Sequence, residues 1–360
     1  MNVLNIEWRH PNLNKKISET KKNSLETLYK KRQQNKPTRG ISKTTVIIIT
    51  IIFIVVVASI SIYFLFSFKK SNQYNDKKSI FVSINGKGNF LSIQKAIDSA
   101  ADNDSIYVSN GTYFENIIIT KPLELIGEDK NTTIINGNCS GTIIYISADY
   151  VKISGFTITN SSSLSQNKNE GIKIGSNYNT ISDCNISSNA NYGLYLGENT
   201  KNNIIKFNIF SNNKYGINAN YAKTNDISLN TFTYNNDYGL FFDNDSNDNL
   251  ISDNIFTENN YSIRIRGSER NTIFKNMIIN NEYGLYFCCG AKNNIAYNNF
   301  FINNTNWNAI DALVNKWDNG IVGNYWDDYT GKDANGDGIG DIPYLINDDR
   351  VDRFPLMQPK

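Results

Sequence analysis

The sequence predicts an all-β solenoid, a single-strand parallel β-helix, and three observations predict it. A unit of 22–24 residues recurs from about Val151 to Asn304, marked by Ile-x-x-Asn-x-(Phe/Ile)-x-x-Asn at Ile205/Asn208/Phe210/Asn213 and again from Ile227, Ile251, Ile273 and Ile295. Tyr-Gly recurs at Gly193, Gly216, Gly239 and Gly284, with Ser262 standing in once. After each of these, apolar side chains alternate with variable ones (Leu194 and Leu196, Leu240 and Phe242, Leu285 and Phe287), the period of a strand with one buried face. So short a unit cannot bury its own apolar side and must stack on its neighbours. Two or three strands per coil, separated by Asn and Gly turns, then put like residues over like. Phe210, Phe232, Phe256, Ile278 and Phe300 become an inward stack, and Asn208, Asn230, Asn254, Asn276 and Asn298 a ladder of amides bonded from coil to coil.

Before the repeat, residues 1–45 form a basic tail, with eleven Lys or Arg against three Glu up to Lys43. Residues 46–68 follow as a transmembrane signal anchor. Val46 to Phe66 is uncharged and spans about 31 Å as a helix, enough to cross a bilayer, and it is too long and too far along the chain for a cleaved signal peptide. After Lys70 the balance reverses to 23 Lys or Arg against 31 Asp or Glu. The asymmetry places the N-terminus in the cytoplasm and the β-helix outside, in a single-pass cell-membrane protein. An acidic exterior argues against polyanion binding there, and no nucleic-acid partner is expected. Residues 69–85 read as a linker with folding beginning near Ser79, 86–305 as the β-helix and 306–360 as a C-terminal aromatic cap.

At the entry, Ile93, Ala96, Ile97 and Ala100 share one helical face, so a short amphipathic helix can plug the open end of the solenoid. The strand pieces 106–108, 117–119 and 123–126 then begin the coils. GTYFEN followed by LELIGE resembles the entry of the pectin-lyase-like right-handed β-helix superfamily, which implies the right hand. Gly111, Tyr113 and Glu115 are similar to the opening Gly-x-Tyr-x-Glu of pectin methylesterases. The later Gln, Asp and Arg motifs of those esterases have no counterpart, so that activity is not carried over. Residues 80–357, with the ending GNYWDDYTGKDANGDGIGDIPYLINDDRVDRFPLM, resemble NosD-type β-helix surface proteins, whose repeats are described as carbohydrate-binding or sugar-hydrolase-like.

That family's name implies copper, which the donors here do not favour. The only histidine is His10, and the methionines are Met1, Met277 and Met357. Cys288 and Cys289, expected on opposite strand faces, make a poor chelate. Cys139, Cys184, Cys288 and Cys289 allow three disulfide pairings, and Cys184 falls in the Asn column.

Without an external imidazole, catalysis would rest on carboxylates, Lys, Arg, Tyr or a cation. Asp243, Asp245 and Asp248 lie on one coil and Arg264 and Arg266 on the next. Asp243 and Arg266 share an outward column about 4.8 Å apart, the position of an inter-coil ion pair or of a lyase-like site. A second outward column reads Lys173, Tyr195, Asn218, Phe241, Arg264, Tyr286 and suggests a glycan-stacking groove, against the plainer reading of strand-stabilising aromatics. In the tail, Asp333, Asn335, Asp337, Ile339 and Asp341 occupy positions one, three, five, seven and nine of a calcium-type loop. Gly338 falls at six and Tyr344 at twelve where an EF-hand has Glu, and the expected role of Ca2+ is structural, beside Trp307, Trp317, Tyr325 and Trp326.

The functional expectation is a membrane-anchored extracellular module that binds glycan or serves adhesion or spacing without turnover. A membrane-tethered polysaccharide lyase or glycoside hydrolase of the same fold is the alternative.

Overall fold

A computed structural model describes residues 77–162 and 169–358, all within the unit Asp76–Lys360. The basic tail and the expected anchor at 46–68 lie outside the described residues. Among the described residues no helix is long and apolar enough to cross a membrane.

The expected solenoid is present as a right-handed parallel β-helix with three strands per coil. The first sheet has ten strands from Ser79–Val82 to Ile295–Tyr297, and the second has ten from Gly111–Phe114 to Tyr325–Trp326. The third has nine, from Ile117–Ile119 to Trp307–Asp311. All pairing between coils in these sheets is parallel, as in Thr231↔Ile255, Phe232↔Phe256 and Thr233↔Thr257. Ser79–Val82 already pairs with Ser105–Val108, so the solenoid begins inside the stretch read as linker, and Trp307–Asp311 carries it past 305.

The corners follow one rule. A residue with positive φ is followed by Asn, as at Phe207–Asn208 (φ 59), Leu229–Asn230 (φ 57) and Asp253–Asn254 (φ 54). A left-handed residue with a Cβ costs about 1–2 kcal/mol, and the Asn that follows offsets this with a saturated set of bonds. Asn230 shows the pattern. Its N–H and its Nδ2 both donate to Asn254 Oδ1 (2.9 and 3.1 Å), Nδ2 also donates back to Ile205 O (2.8 Å), and its own Oδ1 accepts from Asn208 N and Nδ2 (3.0 and 3.1 Å).

Each of the three corners carries such a ladder, where the sequence suggested one. They run from Asn179 through Asn203 and Asn225 to Asn315, from Asn208 to Asn324, and from Asn189 to Asn304. Cys184 sits below Asn208 and donates its N–H to Asn208 Oδ1, with its thiol free and buried.

In the last repeat the expected register is wrong by one residue. Asn299, not Asn298, receives Asn276, and Phe301, not Phe300, pairs with Ile278 and is fully buried. Ile295/Ala296 and Phe300/Phe301 are both apolar doublets, so alternation cannot choose between faces there, and a slip of one flips every side chain. The interior is otherwise as expected. Phe210, Phe232 and Phe256 stack at 5.0 and 4.6 Å, and Phe301 continues onto Trp326 at 4.4 Å.

Both ends are closed. Helix α1 (Ile93–Ser99) buries Ile93, Ala96 and Ile97. Glu115 holds its first turn, accepting from Ile93 N, Gln94 N and Ser92 Oγ at 2.9 Å each. Tyr113 is buried with its hydroxyl on Ser109 O, and a Cβ on Gly111 would lie 2.5 Å from Ile84 Cδ1. The Gly-x-Tyr-x-Glu motif therefore builds the N-terminal plug.

At the other end all three ladders stop on carboxylates. Asn315 Nδ2 meets Asp311 Oδ1 (2.7 Å), Asn324 N meets Asp352 Oδ2 (2.6 Å), and Asn304 reaches Asp327 through Asn308. Every ladder Asn directs an amide N–H toward the C-terminus as well as one back toward the preceding coil, so each ladder must end on an acceptor. Trp317 and Trp326 are buried in this cap and donate their indole N–H to Asp311 and Asp352. Trp307 and Tyr325, expected beside them, lie on the outer faces of the third and second sheets.

Candidate functional site: the outer face of the third sheet

The third sheet presents three outward columns. The first comprises Tyr192, Tyr215, Tyr238, Tyr261, Tyr283 and Trp307, in register and in ring contact at 5.1, 5.2, 5.1, 4.3 and 5.1 Å in turn. The glycine after most of these tyrosines has a steric cause. A Cβ on Gly193 would stand 2.7 Å from Gly216 O and one on Gly284 1.9 Å from Asn308 O, whereas Ser262 bonds the facing carbonyl of Gly284 through its hydroxyl. The sequence reading saw those glycines and missed the tyrosine column beside them, although the Tyr-Gly pair was its visible signal. Burial pushes the Tyr215 phenol up to about 12, so it stays neutral.

The second column brings the expected residues into register: Lys173↔Tyr195↔Asn218↔Phe241↔Arg264↔Tyr286. It is not an open row of rings, however. Asn218 and Phe241 are only 6% and 8% exposed, and Tyr195 stacks on Tyr192 at 5.5 Å. Lys173 Nζ lies 5.6 Å from the Tyr145 ring centre and 6.0 Å from that of Tyr195.

Arg264 is the centre of the face. Its guanidinium lies 5.6, 5.5 and 5.4 Å from the rings of Tyr238, Phe241 and Tyr286. It donates through Nη1 to Tyr238 Oη (2.5 Å) and through Nε to Cys288 Sγ (3.3 Å). Burial works against its charge, and the bonds to Cys288 and Tyr238 outweigh that. Among the described residues no carboxylate pairs with it.

In the third column Asp243 and Arg266 form a two-pronged pair, Nε–Oδ1 at 2.6 Å and Nη2–Oδ2 at 2.5 Å. Asp248 is likewise held by Arg270 of the next coil. These carboxylates are occupied by their own cations.

Cys288 follows Arg266 in the same outward column. Cys289 takes a left-handed turn (φ 54), so regular alternation ends there. All four cysteines are free. Elsewhere, Glu258, Glu282, Tyr234 and Asn260 line a shallow groove at the corner between the second and third sheets. The sequence reading saw no such carboxylate pair, because the two residues sit on different columns of successive coils.

In the tail loop, Asp333 ties the turn together, accepting from Gly336 N (2.7 Å), Asp337 N (3.2 Å) and Gly338 N (2.8 Å). Asp337 Oδ1 accepts from Ile339 N, and Asp341 Oδ2 from Ala334 N, each at 2.8 Å. Asn335 Nδ2 bonds Asp337 Oδ2 at 2.9 Å. The loop is fastened to the chain end by Gly340 N–Pro355 O and Met357 N–Gly338 O, and Leu356 covers the last rung through Asn324.

Residues 197–331 match the family described as periplasmic copper-binding protein (NosD), and residues 80–241 match the right-handed β-helix region. The chain folds as a right-handed parallel β-helix, and a stretch of it is similar to the NosD family. A probable pectinesterase/pectinesterase inhibitor of Arabidopsis thaliana is 35% identical over 86 residues, 19% of this chain and 15% of that protein. The PL6 family alginate lyase AlyGC shares the fold with a TM-score of 0.54 and 14% identity, over 69% of this chain and 38% of its own. XylC, solved with xylose, does so with a TM-score of 0.50 and 12% identity, over 66% of this chain and 76% of its own. The chain thus spans well under half of the pectinesterase and of the alginate lyase. Among the described residues no three His, Cys, Asp or Glu side chains converge, those of Asp333, Asp337 and Asp341 included, and the sequence has no histidine after His10.

Proposed function

We propose that this protein is a membrane-anchored cell-surface module that holds a glycan on the third-sheet face without cleaving it. The observation that carries this is the Arg264 guanidinium, half-buried among three rings, bonded to a phenol and a thiol and lacking a carboxylate partner. Such a group favours an acidic sugar, whose carboxylate supplies the missing charge while ring edges meet its apolar faces. Lys173, which has no ion-pair partner among the described residues, lies toward the N-terminal end of the same column. The ring faces of Phe241 and Tyr195 are covered, so Lys173, Arg264 and Tyr286 make the contacts, with Asn218 and Phe241 beneath them. An Asp243 engaged by Arg266 supports binding rather than turnover.

The test is retention of the full chain on polygalacturonate, alginate and neutral glucans. Arg264→Ala weakens retention on the acidic polymers about tenfold to a hundredfold, the loss of about 1.5–3 kcal/mol of charge-assisted bonding. Unchanged retention removes the reading.

The loop at Asp333, Asn335, Asp337, Ile339 and Asp341 would take Ca2+, Ile339 through its carbonyl, as a clamp on the chain end that covers the last coil. The alternative, a membrane-tethered polysaccharide lyase or glycoside hydrolase, is favoured by the groove where Glu258 and Glu282 meet Tyr234. Shortened polysaccharide chains, abolished by Glu258→Gln, would establish it.

A further inference from the structure

The binding face contains a feature that glycan recognition does not use. Cys288 Sγ accepts from Arg264 Nε at 3.3 Å, and the next residue in the chain is a second cysteine. Cys288 is fully buried and Cys289 exposed. The cause is the backbone: Cys288 ends the strand Tyr283–Cys288, and Cys289 (φ 54) and Gly290 (φ 97) turn left-handed in succession. The regular alternation that would hold the two thiols on opposite faces is thereby broken, with Cys289 open to solvent and Cys288 against a guanidinium.

We propose that Cys288 and Cys289 form a thiol-modification site, a neighbouring pair that closes reversibly into a disulfide by exchange with a small disulfide and thereby alters the seat of Arg264. The Cys289 thiolate attacks one sulfur of the small disulfide, forming a mixed disulfide and expelling one small thiolate, which takes up a proton. Cys288 then gives up its proton and attacks the Cys289 sulfur, expelling the second small thiol. Two cysteine thiols are oxidised, and one small disulfide is reduced to two thiols. Burial holds the Cys288 thiol above its usual range, and Arg264 beside it partly offsets this for the thiolate of the second step. Adjacent Cα atoms stand about 3.8 Å apart, closer than the roughly 4.4–6.8 Å usual for disulfides. The bond is therefore readily reduced, as suits a reversible modification and not a structural staple. Closing it draws Cys288 Sγ toward Cys289 and away from Arg264 Nε.

The chemistry stands independently of the glycan reading, and only its consequence for Arg264 rests on it. The full chain is incubated with oxidised glutathione, alkylated and examined by peptide mass. Cys139, exposed and far from another thiol in sequence, serves as the internal reference by keeping its glutathione adduct. The peptide holding Cys288 and Cys289 loses two hydrogens and carries neither alkyl group nor glutathione. In Cys288→Ser, Cys289 keeps a stable adduct. A stable adduct on Cys289 of the wild-type chain, or two alkylated thiols while Cys139 has reacted, overturns the proposal. Acidic-glycan retention measured on the oxidised chain tests the consequence separately: a change of severalfold supports the link to Arg264, and unaltered retention with the disulfide formed leaves the modification site and removes that link.

Discussion

Asn254 shows what one side chain does in this molecule. It accepts from Asn230 and donates to Ile227 O and Asn276 Oδ1, all of them buried. Asn254→Ala strands the Asn230 N–H as well as its amide and leaves the Ile227 carbonyl short of a partner. At about 1–3 kcal/mol for each buried unpaired group, we expect a loss of about 3 kcal/mol or more, read as a lower urea midpoint. The matched control is Asn236→Ala, at an exposed position outside the ladders and without a left-handed backbone, with a change of less than about 1 kcal/mol. Equal losses would show that the ladder is dispensable. Arg266→Ala costs little by comparison, because the Arg266 side chain is itself 42% exposed and such solvent-facing pairs contribute about 0–1 kcal/mol. Individual roles were only partly legible in the sequence. The Asn column was visible because turns and ladders require that residue type at a fixed spacing. That Phe241 lies covered while Arg264 has no carboxylate partner depends on which neighbour reaches over which ring, and a column of letters does not carry that.

At the scale of elements, the caps are where this solenoid differs from a bare stack. Asp352 ends one ladder, fully buried, accepting from Asn324 N, Asn324 Nδ2, Trp326 Nε1 and Phe354 N. A Cβ on Gly323 would lie 1.7 Å from its Oδ1, so the close approach needs that glycine. Burial, only partly countered by these N–H donors, pushes its carboxyl up to about 6. The folded value lies above the unfolded one near 4, so the folded state holds the proton more tightly. The stability this group contributes is complete below about pH 4 and is lost as pH rises through about 6. Subtracting the urea midpoint of Asp352→Asn from that of wild type at each pH isolates this slope. The difference falls between pH 4 and pH 7, and a flat difference would contradict the account of the cap. The sequence announced the helix plug through Ile93, Ala96 and Ile97. The carboxylate stops went unread, since Asp311 and Asp352 lie outside the repeat and nothing local marks them as the ends of ladders. The same limit produced the one-residue slip at Asn298/Asn299, where two apolar doublets leave the buried face undetermined until Trp326 stacks on Phe301.

At the largest scale the structure describes, the unit Asp76–Lys360, each parallel coil touches only its neighbours, so closure of the ends governs stability. If Ca2+ clamps the tail loop, a chelator lowers the melting temperature of the full chain by several degrees and Asp333→Asn removes the response. A chelator-insensitive melting temperature would leave the loop as a turn held by its own backbone bonds. The fold class, the entry helix and the register of the third-sheet face were all within reach of the sequence, because a solenoid writes its geometry as a period. What the face does depends on its chemistry, and the fold is shared with proteins that cleave polysaccharides and so does not decide it.

The deciding measurement is polysaccharide chain length against time for the full chain with alginate and polygalacturonate in the presence of calcium, alongside retention on the same polymers. Intact chains, retained by wild type and released by Arg264→Ala, are the outcome expected of a face that holds acidic glycan without turnover. Shortened chains, or retention indifferent to Arg264, would contradict it.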